Sequence, residues 1–407
     1  MDKLTTISNK PTFVVIGAGI VGITIAREAA LSNLFGRILI IEKEKSAGLH
    51  ATSRNSGVIH AGFYYSPDTI KANFCSKGNS LMRKYIVDNS LPYKPCGKVV
   101  VSKDSFEDDF IQMLGERGRQ NECEVRVLDR NLLSNYEPAA STNKIFLWSP
   151  NTWSSSPNDL LNCLLREIKE YGVEMIFGKK LLKANNNTIY LDEDEKITYD
   201  FLVNAAGGYA LSVANLFGIK TKYKILPFKG LYLKSRKKID SFKAHIYPVP
   251  DISQPFLGIH TTLTSDGFLK LGPTAIPAFS PENYSLFERL DINLTPEIIS
   301  LQISLFIENT FRFRELAFRE FKYLFKENII KSAQKLTSLN LEDIKYDWYS
   351  PGIRAQLYDT KSHKLENDLI IKNFNSDFHL LNSISPAWTC SFKTAEFIID
   401  KVKKLIN

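Results

Sequence analysis

The run Phe13-Val14-Val15-Ile16-Gly17-Ala18-Gly19-Ile20-Val21-Gly22 constrains this chain more than any other segment, because each of its glycines has a separate task. Gly17 permits the tight turn out of a strand, Gly19 lets the backbone approach a pyrophosphate, and Gly22 lets the new helix pack closely on the strand. A second apolar run, Ile38-Leu39-Ile40-Ile41, ends at Glu42, about twenty residues beyond Gly22. A carboxylate there accepts hydrogen bonds from both ribose hydroxyls and repels a 2′-phosphate. A glycine-rich turn in an unrelated sheet would explain the triplet alone. Strand, turn, helix and acid together predict a Rossmann-type α/β unit that carries a dinucleotide on the helix amino terminus.

The polar stretch after the second strand, His50-Ala51-Thr52-Ser53-Arg54-Asn55-Ser56-Gly57-Val58-Ile59-His60-Ala61-Gly62, decides which dinucleotide. It resembles the corresponding segment of the flavoproteins of the D-amino-acid-oxidase superfamily, and most closely that of the L-2-hydroxyglutarate dehydrogenases and oxidases. The resemblance continues through Gly62-Phe63-Tyr64-Tyr65-Ser66-Pro67, Lys71-Ala72-Asn73-Phe74-Cys75, Asn204-Ala205-Ala206-Gly207, Tyr247-Pro248-Val249-Pro250, Leu271-Gly272-Pro273, Gly352-Ile353-Arg354-Ala355-Gln356 and Leu381 to Ala387, so it covers nearly the whole chain. It implies a glutathione-reductase-like Rossmann FAD-binding domain interleaved with a smaller α+β substrate domain built on an antiparallel sheet. FAD would be held by Gly17, Gly19, Gly22 and Glu42, by Arg54, Asn55, Ser56 and Gly57 on the polar stretch, by Ala206 and Gly207, and by Ser385 and Pro386. Some superfamily members attach flavin through a cysteine. Cys390, after Pro386-Ala387-Trp388-Thr389, is out of register with that site, so the expected FAD is non-covalent.

A chain of 407 residues with 44% apolar and 24% charged residues can bury more than one core. No linker or repeat separates the halves, so the expected domains interleave: 12–95, 150–226 and 347–404 bind FAD, and 96–149 with 227–346 bind substrate. Strands are expected at Lys98 to Lys103, Val125 to Leu128, Val173 to Phe177, Thr188 to Leu191, Ile197 to Val203, Leu231 to Leu233, His245 to Tyr247, Phe256 to His260, Phe268 to Leu271 and Phe378 to Leu381. Helices are expected over Phe106 to Gln120, Leu160 to Tyr171, Pro296 to Gln334 and from Pro386 onward, the last offering its amino-terminal amides to the flavin pyrimidine carbonyl.

Five scattered cysteines with no C-x-x-C pair suit a reducing compartment. The dozen residues before the first strand contain no arginine, and no apolar run reaches the roughly 18 residues that a bilayer crossing needs. A cytoplasmic protein without a cleaved leader is expected. The net charge of +8 is modest for this size and supports no nucleic-acid partner. Residues 311–326 depart from the even spread, interleaving Phe311, Phe313, Phe318, Phe321 and Phe325 with Arg312, Arg314, Arg319, Lys322 and Lys326. A helix there either lies on an anionic membrane, peripheral to its inner face, or packs on its own domain with a solvated basic face.

Oxidising a 2-hydroxy acid needs a carboxylate anchor and a base that takes the hydroxyl proton as hydride leaves for the flavin. Arg354 is the candidate anchor: guanidinium matches carboxylate in a fork, and the resemblance places Gly-Ile-Arg at the substrate carboxylate. His60 is the candidate base, since imidazole titrates near neutrality and the resemblance puts its turn beside the flavin; the alternative is that it only bonds the cofactor or orders the loop. Tyr247 and His260 are further candidates to grip substrate. Phe228-Lys229-Gly230 stands where relatives more often carry arginine-glycine-glutamate, and Lys229 is expected to hold the distal carboxylate of a dicarboxylic acid. His50 is expected to steady its loop, and His245, His363 and His379 to be structural; no cluster has metal-ligand spacing. The expected reaction is L-2-hydroxyglutarate to 2-oxoglutarate with FAD, electrons passing to oxygen or a quinone. An amino-acid oxidase of the same superfamily and a non-catalytic docking flavoprotein are the alternatives.

Overall fold

The computed structural model describes residues 10–250, 256–285 and 288–406. The expectation of a leader-free amino terminus rests on residues 1–9, outside the described residues. β-rich and apolar, Thr12–Ile16 forms the centre of a six-stranded sheet ordered Ile371–Phe374, Asp377–Leu380, Phe201–Asn204, Thr12–Ile16, Arg37–Glu42, Glu174–Phe177. Its neighbours pair in parallel except Ile371–Phe374. Buried on both faces, as parallel sheets are, it packs on one side against the helices Ile20–Leu31, Pro157–Glu170 and Ala387–Ile406. On the other side lies a three-stranded meander, Leu181–Asn185, Thr188–Leu191 and Lys196–Thr198.

The larger sheet runs Lys364–Leu365, Tyr346–Asp359, Tyr223–Lys238, Phe268–Gly272, His260–Leu263, His245–Pro248, Lys98–Val101, Ile145–Ser149, Arg126–Asp129. It is antiparallel as expected, except that His245–Pro248 and Lys98–Val101 pair in parallel. Two long strands, Tyr223–Lys238 and Tyr346–Asp359, form a ribbon from Tyr223↔Asp359 to Ser235↔Tyr346. The boundaries expected at 226/227 and 346/347 fall inside these strands. One face of the sheet is apolar, with Val99, Val101, Leu233, Ile246, Leu263, Leu269 and Leu271 covered by the helix Lys326–Gln334 through Ile329 and Ala333. By alternation, Lys98, His245, Tyr247, His260 and Thr262 share the opposite face.

Three expected elements differ. The strand at Ile197 to Val203 is two strands in two sheets, because the chain turns at Asp200: its amide donates to Thr12 O, and its carboxylate accepts from Thr12 N at 2.7 Å. Apolar alternation continues across that turn and hides it. Phe256 to His260 is not a strand; pairing starts at His260, and Phe256 instead packs on Phe228 with centroids 4.6 Å apart. Residues 311–326 are not one helix. Asn309, Phe311 and Arg312 take left-handed φ of 54°, 42° and 61°, so the helix Leu294–Glu308 ends, Phe313–Phe321 starts afresh, and Phe325 is extended before Lys326–Gln334.

Candidate active site

The outer glycines of the fingerprint show the backbone their tasks require. Gly17 has φ +107°, and a Cβ on Gly22 would lie 2.0 Å from Gly17 O, so the helix touches the strand turn. The Glu42 carboxylate accepts from Ala18 N at 2.8 Å and Glu44 N at 3.0 Å, at the carboxyl end of its strand. Thr52 Oγ1 accepts from Ile20 N at 2.9 Å, tying the polar stretch to the first helical turn. Thr24 Oγ1 reaches Ser391 O at 3.1 Å, so the first and last helices run side by side. Next to the start of that last helix, Ser383 Oγ and Trp388 Nε1 are buried with no partner among the described residues. Gly207 has φ +54° with open space where a Cβ would stand. Paired helix amino termini, a ribose-level carboxylate, orphaned donors and open backbone fit FAD.

The polar stretch is held rigid by its own side chains. Asn55 Oδ1 accepts from Gly57 N at 2.8 Å while its amide nitrogen donates to Thr52 O at 2.6 Å. Ser56 Oγ accepts from Val58 N at 3.3 Å. Arg54 donates to Leu49 O and Pro351 O and stacks on Tyr284 at 3.9 Å, and a Cβ on Gly352 would meet Arg54 O at 2.6 Å. The stretch therefore lies directly against the ribbon that carries Arg354. Ala205 N donates to Ile16 O, and Ala206 N to Asn204 Oδ1, on the neighbouring strand end. Pro386 O accepts from Cys390 N, opening the last helix, with Ser385 exposed before it.

His60, Arg354, Tyr247 and His260 come together, and their environment sets their chemistry. Thr389 and Asn79 fix the His60 backbone, accepting from its amide at 3.1 Å and donating to its carbonyl at 3.0 Å. Burial, with Lys98, His260, His245 and Arg354 nearby, holds the His60 imidazole well below the ordinary histidine range. It is a neutral acceptor at pH 7. Arg354 is half-buried, lies over the Phe256 ring at 5.3 Å, and has no carboxylate partner among the described residues. Tyr247 and His260 stack at 3.7 Å. His260 Nδ1 donates to Gly258 O at 2.9 Å, and burial pushes its pKa down to about 3. Tyr232, near Arg354 and Ser56, is pushed up to about 12 by burial.

Lys229 is elsewhere. It alternates to the sheet face opposite its neighbours Phe228 and Gly230, and its Nζ donates to Ser285 O at 3.2 Å. His245 Nδ1 accepts from Leu263 N, and His379 Nδ1 from the Asn204 amide, both deep in packing. His50 bonds Glu44 and Glu282 at 3.0 Å and Tyr284 Oη at 2.8 Å. Glu44, His50 and Glu282 bring ligand atoms within 4.8 Å of one another, yet Lys43 already pairs with both carboxylates at 2.5 Å, and Arg289 reaches them as well. The cluster is a salt network clamping the segment after Glu42 to Glu282, Tyr284 and Arg289. Two features escaped the sequence reading: this clamp, and the fully buried Lys98, whose one visible sign is a lysine opening a run of valines.

Residues 12–400 match the model of the family "FAD dependent oxidoreductase". The chain belongs to that family. It is 30% identical to the L-2-hydroxyglutarate dehydrogenase of Escherichia coli K12, over 97% of this chain and 93% of that protein. It is also 30% identical to the mitochondrial L-2-hydroxyglutarate dehydrogenase of Nematostella vectensis, over 95% and 89%. Among solved structures, an FAD-bound L-alpha-glycerophosphate oxidase of Mycoplasma pneumoniae superposes with a TM-score of 0.72 at 18% identity, covering 97% of this chain and 95% of that one. FAD is thus the cofactor of an oxidoreductase whose dinucleotide fingerprint stands at Gly17 to Gly22.

Proposed function

We propose that this flavoprotein oxidises L-2-hydroxyglutarate to 2-oxoglutarate. The single observation that carries the reading is the juxtaposition of Arg354, without a carboxylate partner among the described residues, with His60, whose environment favours the neutral ring, between the cofactor loop and the sheet roof. The kinship with L-2-hydroxyglutarate dehydrogenases supports the choice of substrate. FAD supplies the hydride acceptor. Arg354 holds the C1 carboxylate in a bidentate fork and so fixes which face of C2 is presented. His60 accepts the hydroxyl proton at an unprotonated ring nitrogen, and its low basicity keeps that nitrogen free at neutral pH. Tyr247 and His260, stacked on the roof, shape the pocket and exclude water.

The test is anaerobic flavin bleaching by purified holoprotein against a panel of hydroxy and amino acids. L-2-hydroxyglutarate should bleach it. Bleaching by glutamate or glycine instead would overturn the reading in favour of an amine oxidase. Arg354→Ala should lower substrate affinity about 100-fold with FAD retained, as expected on removing one side of a desolvated charge pair.

A second observation favours a membrane-lying surface, and with it a quinone as electron acceptor. Ile299, Ile303, Phe306 and Ile307 are exposed along one side of Leu294–Glu308, and Phe306 meets Phe318 at 5.8 Å. Phe318, Phe321 and Phe325, each 64% exposed, continue that apolar area, with Arg312, Arg314, Lys322 and Lys326 exposed beside it. Apolar side chains next to cations suit an anionic bilayer surface.

A further inference from the structure

Lys98 stands on the roof of the site with its side chain wholly out of solvent, and its Nζ has no hydrogen-bond partner among the described residues. Its surroundings are the rings of Tyr247 at 4.1 Å, Tyr64 at 5.0 Å and Phe63 at 5.3 Å. A buried ammonium without an anion is costly unless something pairs with it. One group near it shares its condition: Tyr64 Oη, on the loop below, is also buried and without a partner among the described residues. A lysine and a phenol thus stand together without an acceptor among the described residues, a setting that suits an anion.

The charge of Lys98 reaches the same two imidazoles, His60 and His260, that Arg354 reaches. Lys98 shares the sheet face of Tyr247 and His260, its Nζ over the Tyr247 ring that stacks on His260, so an ammonium and a guanidinium both stand near the histidine pair. We propose that Lys98 is the second anchor of the substrate, receiving the distal carboxylate of a dicarboxylic 2-hydroxy acid while Arg354 holds the proximal one. This rests on the hydroxy-acid reading above and supplies what Lys229 does not, a buried cation at the histidine pair. Burial pushes the Lys98 pKa down to about 7 in the free protein, where it is faced by Tyr64, Cys75, Cys96, His60, His245, Tyr247 and His260 and, among the described residues, by no carboxylate. A dianion arriving beside Lys98 would raise that pKa, so the amine takes up a proton from solvent as the dianion binds.

The experiment compares L-2-hydroxyglutarate with L-2-hydroxyvalerate, which has the same chain length and a methyl end. Holoproteins of the native sequence, Lys98→Met, Lys98→Arg and Lys270→Met are followed by anaerobic bleaching. Binding of 2-oxoglutarate and 2-oxovalerate is read separately by perturbation of the oxidised flavin spectrum. Native protein should prefer the dicarboxylate. Lys98→Met should cut that preference about 30-fold or more, chiefly through affinity, with Lys98→Arg retaining part of it and Lys270→Met all of it. The dissociation constant of 2-oxoglutarate should rise between pH 6 and pH 8.5, that of 2-oxovalerate should not, and Lys98→Arg should flatten the rise. Equal losses on both substrates would make Lys98 a structural residue and overturn the proposal, as would preference following Lys270. Should Lys98→Met fail to bind FAD, the pH dependence of the native protein and Lys98→Arg decides. Failure of native protein to bleach with any hydroxy acid would instead overturn the underlying reading.

Discussion

A base that works by being neutral is tuned from the opposite side to one that works by being charged. His60 is surrounded by low-dielectric packing and by the cations Lys98 and Arg354, all of which disfavour imidazolium. Its proton therefore leaves at a lower pH than that of an ordinary histidine. Stopped-flow flavin reduction at saturating substrate should show an acid limb displaced below pH 6.5 and a plateau above it; a limb centred at 6.5 or higher would assign the proton to another group. His60→Gln should slow that step about 100-fold or more while FAD content stays unchanged. At this scale the sequence told two kinds of residue apart unequally. That His60 and Arg354 lie near one another was legible because each sits in a short motif that names its neighbours. Lys98 was not, since a lysine beside three valines reads as the exposed end of a strand. Only the pairing that buries all four residues of Lys98–Val101 shows otherwise.

Elements register the cofactor through backbone proximity, and two jobs of the fingerprint, those of Gly22 and Gly19, separate there. A methyl on Gly22 meets the carbonyl of Gly17 at 2.0 Å, backbone against backbone, whereas one on Gly19 meets only the Thr52 hydroxyl at 3.3 Å. Gly22→Ala should therefore push the helix Ile20–Leu31 off its strand, costing about 1–3 kcal/mol as overpacking does and lowering the melting temperature even of FAD-free protein. Gly19→Ala should leave the FAD-free melting temperature near that of the native chain and weaken FAD retention, because the methyl fills the approach to the pyrophosphate. Equal melting temperatures for the two variants would refute the division of labour. The same contrast explains which elements were foreseeable. Ser105–Gln120 and Pro157–Glu170 announce themselves by local caps, Asp104 and Ser156, each accepting from an amide three residues on. The break at Asp200 and the restart at Phe313 depend on partners far away in sequence or on left-handed backbone at Phe311 and Arg312, neither of which periodicity reports.

The whole molecule places its two kinds of surface apart. The ribbon Tyr223–Lys238 with Tyr346–Asp359 carries Arg354 to the cofactor loop. The helices Leu294–Glu308 and Phe313–Phe321 present apolar residues outward while Leu305, Phe313 and Leu316 anchor them in the core. Breaking the expected single helix changes what faces outward: the turn at Asn309 to Arg312 folds two short helices together, so that Phe306 and Phe318 form one patch instead of successive rungs of a stripe. Large exposed aromatics contribute more to bilayer affinity than single charges do, and cations add a salt-sensitive increment. Sedimentation with vesicles containing anionic lipid should therefore capture the holoprotein at low salt. Replacing Phe318, Phe321 and Phe325 together with serine should abolish capture, and replacing Arg312 and Arg314 with glutamine should reduce it only at low salt. Neither set should change anaerobic bleaching by soluble substrate, because the residues replaced are exposed and lie outside the Arg354 and His60 site. If quinone is the acceptor, reoxidation by vesicle-borne quinone should fall with capture while reoxidation by a soluble dye stays constant, and constancy of both would detach the patch from electron transfer.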